Sequence, residues 1–112
     1  MDLGTSLVIK GELSASEDLT FSGQIEGRIS LPDHTLTIDK HADIKAAISA
    51  KAVVILGTVT GDVAAGDKVE IRPTGSLTGD LTSPRLIIAE GGSIRGRVEM
   101  PQSEHLLSHK SA

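Results

Sequence analysis

The sequence predicts an all-β fold: a three-sided parallel β-helix, wound from short strands around a narrow apolar core. Three observations carry that expectation. A small residue flanked two positions away on each side by an aliphatic recurs along the chain, and so does an apolar pair at i and i+2. The third is the filling material, because Phe21 is the single aromatic and Trp and Tyr are absent. Aromatic side chains bury about 150–250 Å² each and commonly anchor a globular core. A 112-residue chain that does without them fits a core too thin to need large fillers.

The first element is the triplet Ile9, Gly11 and Leu13. It recurs as Ile25, Gly27 and Ile29; Ile44, Ala46 and Ile48; Val59, Gly61 and Val63; Leu77, Gly79 and Leu81; and Ile94, Gly96 and Val98. The small residues step by 16, 19, 15, 18 and 17 positions, a period in the range of solenoid repeats. The second element is the apolar pair: Leu19/Phe21, Leu36/Ile38, Val53/Ile55, Val69/Ile71 and Leu86/Ile88. In three pairs a polar residue (Thr20, Thr37, Glu70) stands between and points the other way. Alternation with period 2 marks a strand with one buried face.

Spacers supply the bends. From pair to triplet they are three residues with a central Gly (Ser22–Gln24, Leu56–Thr58) or five (Asp39–Asp43, Arg72–Ser76, Ala89–Ser93). From triplet to pair they run Ser14–Asp18, Ser30–Thr35, Ser49–Ala52, Ala64–Lys68 and Thr82–Arg85. Pro32, Pro73 and Pro84 fall in spacers, so the strands are expected to be clear of residues that cannot donate to a ladder. Each period of about 17 residues then holds three bends and three strands. Six turns of 16–18 residues, stacked at roughly 4.8 Å, make a rod about 25–30 Å long. The small-residue column is expected at a corner, still pointing inward, where backbone approaches core. Hairpins fit poorly, since no Asn-Gly or Asp-Gly dipeptide is present. Pro101–Ala112 leaves the repeat as a polar tail, disordered or a short helix at most.

Composition narrows function. The 11 basic and 15 acidic residues give a net charge of −4, with no basic run and no stacking aromatics, so nucleic acid is not expected as a partner. No cysteine is present, which excludes disulfides and Cys-ligated zinc. The longest apolar run, Ala52–Leu56, is far short of a spanning helix. Met1–Ser6 has neither the basic nor the apolar region of a secretory signal, so a cytoplasmic location is expected.

Several stretches together resemble the bactofilin family: Leu7–Leu13, Phe21–Gly27, Val54–Gly61, Arg72–Asp80 and the closing Gly91–Met100. The likeness covers about residues 6–100 and divides the chain into a segment 1–6, a β-helix domain 7–100 and a flexible tail 101–112. It implies right-handed winding and a bacterial cytoskeletal scaffold. Such a scaffold polymerises without nucleotide or cofactor into non-polar filaments, often at the inner face of the cytoplasmic membrane, and helps to localise cell-wall-modifying enzymes or shape the cell. Members often carry a longer membrane-targeting extension. Here Met1 and Leu3 are the candidates for membrane contact, opposed by Asp2.

Polymerisation also follows from the repeat itself. A solenoid has two open ends that soluble members usually cap, and uncovered strand edges invite pairing. The candidate C-terminal interface is Leu86, Ile88, Ile94 and Val98; the N-terminal one is Leu7, Ile9 and Leu13. Outward charges such as Lys45, Arg95 and Arg97 are candidates to tune lateral bundling.

The rival reading is a trimeric hexapeptide-like acyltransferase, also a triangular β-helix. That family repeats an aliphatic every six residues and needs a catalytic His, whereas the gaps here are mixed and His34 and His41 fall in spacers. His105 and His109 stand four apart without a third ligand in view, so no metal site is expected. No Gly-rich loop precedes a helix, which removes the phosphate cradle of a nucleotide site. An ice-binding row begun by Thr20 and Thr37 is broken by Val54, Glu70 and Ile87.

Overall fold

The structure, a computed structural model, describes residues 8–100. The chain forms eleven strands: β1 (Val8–Ser14), β2 (Leu19–Phe21), β3 (Gln24–Ile38), β4 (Asp43–Ile55), β5 (Thr58–Thr60), β6 (Val63–Ile71), β7 (Ser76–Thr78), β8 (Leu81–Thr82), β9 (Leu86–Ile88), β10 (Ser93–Arg95) and β11 (Val98–Glu99). Every pairing among them is parallel, and partners lie one period apart in sequence. A parallel pair needs a crossover connection. Here the crossover is the rest of the same coil, which is the definition of a β-solenoid.

Three faces result. The first stacks Ile9, Ile25, Ile44, Val59, Leu77 and Ile94; the second stacks Leu13, Ile29, Ile48, Val63, Leu81 and Val98. The third stacks the apolar pairs from Leu19/Phe21 to Leu86/Ile88. Six rungs on two faces and five on the third make about five complete turns, so the expected six counts rungs rather than full revolutions. Interior rungs put their aliphatics on one continuous core in which Ile25, Ile29, Leu36, Ile38, Ile44, Val53, Ile55, Val59, Val69, Ile71 and Leu77 are fully buried. A second inward column, Leu31, Ala50, Ala65 and Ser83, closes the corner after the second face. The buried Ser83 hydroxyl donates to the Arg85 carbonyl at 2.7 Å, so its burial leaves no polar group orphaned.

The five-residue spacers are turns closed by one backbone hydrogen bond each: Ala42 to Asp39, Gly75 to Arg72 and Gly92 to Ala89. Two expectations need correction. Pro32 does not lie outside the strands, because β3 runs through it to Ile38. It is accommodated where the β3–β4 register slips between Leu31 and Thr35, leaving Pro32 with no ladder partner to disappoint. The small-residue column is not inward either, except at Ala46. Gly27 and Gly96 are exposed, and Gly11, Gly27, Gly61, Gly79 and Gly96 all have φ between +123° and +135°. A Cβ on Gly27 would approach the carbonyl oxygen of Gly11 to 1.9 Å, and one on Gly79 that of Gly61 to 2.1 Å. Glycine is required by a left-handed backbone and by the rung beneath, not by the core.

Candidate functional site

The two ends of the stack are where the core runs out. On the third face, Ile38, Ile55 and Ile71 are fully buried, yet Ile88, next in the same column, is 46% exposed. On the second face, Leu81 is 1% exposed and Val98 above it 38%. Leu86 and Ile94 are partly buried, packed on the core from one side. β9, β10 and β11 each pair with the turn below only, so among the described residues their outer edges have no ladder partner. The structure therefore brings Leu86, Ile88, Ile94 and Val98 together on one surface. Beside it, on the flank of the third face, Ile87 is 47% exposed; its outward parity kept it out of the sequence-derived set. A bare isoleucine between Leu86 and Ile88, in the outward column that carries Thr20, Thr37, Val54 and Glu70 on the earlier rungs, is the signal that could have found it.

At the other end Ile9 and Leu13 are half-buried against the core, in register with Ile25 and Ile29. Leu7, Met1 and Leu3 lie outside the described residues, as do His105 and His109. Among the described residues, both ends thus pair partly wetted aliphatics with strand edges that have no ladder partner. Chemically, such a surface can stack on another β-layer.

The flanks carry less. His34 Nδ1 lies 3.6 Å from Asp18 Oδ1, an acid one period back that the linear sequence conceals. The same carboxylate accepts the Thr35 backbone N–H at 2.9 Å, so it fastens a spacer to the rung below. His41 is exposed and uses its backbone N–H to hold Asp39. Neither histidine lines the concavity along the second face.

Comparison with known proteins supports the scaffold reading. The family model for bactofilins, described as polymer-forming cytoskeletal, matches residues 2–99. The chain belongs to the bactofilin family. It is 40% identical over 102 residues to bactofilin BacO of Myxococcus xanthus, covering 91% of this chain and 80% of that one. Bactofilin BacP of the same organism is 38% identical over 102 residues, again 91% of this chain but 42% of its own length. Bactofilin BacN is 41% identical over 49 residues, 44% of this chain. No solved structure matches at a significant level. A bactofilin is a polymer-forming cytoskeletal protein, and the acyltransferase reading has no support. No helix among the described residues is long and apolar enough to cross a membrane.

Proposed function

We propose that this chain polymerises end to end, without nucleotide or cofactor, into non-polar filaments. The filaments would serve as a cytoplasmic scaffold that helps to localise cell-wall-modifying enzymes at the inner face of the membrane. One observation carries the assembly reading: the apolar columns reach the last turn, and there Val98 and Ile88, equivalent to buried residues one rung below, are 38% and 46% exposed. Covering Ile88, Val98 and their neighbours recovers on the order of 1 kcal/mol per side chain. The edge hydrogen bonds of β9–β11 add direction, because an open ladder accepts only another strand in register. Membrane proximity rests on the family alone, with Met1 and Leu3 as the residues proposed to touch lipid.

Ile88→Arg and Ile94→Arg test the contact. Each places a charge on the end surface while leaving the rungs beneath intact. Expected are folded, short or monomeric particles by light scattering. Long filaments from both variants would remove the C-terminal surface from the assembly.

A further inference from the structure

Along the second face the outward side chains form a shallow trough of about 600 Å³. Its first column, read rung by rung, is Glu12, Arg28, Ala47, Asp62, Asp80 and Arg97. The second is Ser14, Ser30, Ser49, Ala64, Thr82 and Glu99. Within the trough the one ion pair among the described residues is Arg97 Nη1 with Glu99 Oε2 at 4.0 Å. Arg28, Asp62 and Asp80 are exposed and engage no opposite charge there.

We propose that this trough is a lateral interface on which a second copy of the chain lies antiparallel. The order of charges is the argument. Turning one rod end over end and laying it on the other sets the first rung against the sixth, the second against the fifth and the third against the fourth. Glu12 then faces Arg97, Arg28 faces Asp80, and Ala47 faces Asp62. Twofold symmetry repeats each contact, and the pattern is self-complementary as an isologous interface requires. No like charges meet. Arg28 also comes one rung from Asp62, so a single guanidinium serves two stacked carboxylates of the other copy. The second column opposes Ser14 to Glu99, Ser30 to Thr82 and Ser49 to Ala64, which are small enough for close approach along most of the length.

Other arrangements are worse. Parallel rods would set the first column on the second, covering Arg28, Asp62 and Asp80 with Ser30, Ala64 and Thr82. Covered charges without a counter-charge are costly. The neighbouring outward column, Lys10, Glu26, Lys45, Thr60, Thr78 and Arg95, opposes Lys10 to Arg95 when reversed on itself. One contact of this size is weak, but identical contacts repeated along a filament add by avidity. The surface is distinct from the ends, so it is testable whether or not end-to-end assembly holds.

The chain has no cysteine, which leaves a clean background for cross-linking. Ala47→Cys and Asp62→Cys chains are mixed at low salt, in wild-type and Ile88→Arg backgrounds, with a short bis-maleimide. Expected is a 47–62 linked dimer that disappears near 1 M salt, where the Debye length is about 3 Å. A mixture of Ala47→Cys with Thr60→Cys should not link. Adding Arg28→Asp should lower the 47–62 yield about tenfold, and adding Asp80→Arg to that should restore it. No 47–62 link at low salt, equal linking in the two mixtures, or failure of the charge swap to restore it would each overturn the proposal. The first of these would leave the trough to a different partner.

Discussion

At the residue scale the glycine column decides whether rungs can stack. Gly79 has φ +135° and a Cβ there would meet the Gly61 carbonyl oxygen at 2.1 Å, backbone that cannot swing aside. Gly79→Ala is therefore expected to lose upward of about 2 kcal/mol of stability, read as a lower urea midpoint. Ala46, which does not adopt positive φ, marks the one rung where the column takes an ordinary residue. The recurrence of a small residue was legible in the sequence, but its cause was not. A 17-residue step between glycines looks the same whether the residue faces the core or the rung beneath. Asp39 is a second such residue. Its carboxyl is held below the ordinary 3.8, chiefly by the His41 backbone N–H, with help from the Ser22 hydroxyl and against some desolvation. A depressed carboxylate stabilises the fold above its unfolded value, and that contribution is lost as pH falls through the lowered one. Thermal stability of the wild type should therefore fall as pH drops below 3.8, more steeply than that of Asp39→Asn, which does not titrate.

At the element scale the triplets and pairs named from sequence are the strand cores of the structure, in register. Leu36 pairs with Leu19, Val53 with Leu36, Val69 with Val53 and Leu86 with Val69. Parallel stacking makes this legible, because each inward residue needs an apolar neighbour one period away and the period is short. Strand length was less legible. β3 and β4 continue for 15 and 13 residues around a corner that the sequence marks as spacer. Extra residues bulge outward there, between Leu31 and Thr35 and again opposite Lys51, without breaking the ladder beyond. The corner absorbs differences in coil length, which is why the period wanders while the faces stay aligned. Phe21, fully buried in β2, is the largest filler of this thin core. Phe21→Ala should cost about 3–5 kcal/mol in equilibrium unfolding, since rungs fixed by backbone pairing cannot collapse into the gap.

At the scale of the molecule, a core built by repetition has no intrinsic reason to stop. The last turn repeats the apolar pattern of the interior ones, and Ile87, Ile88 and Val98 are the exposed large apolar residues among those described. That much of the site was readable from sequence, because the repeat shows no change of composition before Pro101. Ile87 was legible only as a break in the outward row begun by Thr20 and Thr37, and the His34–Asp18 pair was not legible, since a separation of one coil closes only in the folded stack. The same view of the whole rod separates two kinds of surface: apolar at the ends and charged along the second face. Salt should therefore act on them differently, weakening lateral pairing while sparing end contacts. The most direct test of the central claim is electron microscopy of the purified protein in nucleotide-free buffer beside Ile88→Arg. The account predicts long filaments from the wild type and none from the variant, with both retaining the same β-rich circular dichroism. Filaments of equal length from the two proteins would contradict it.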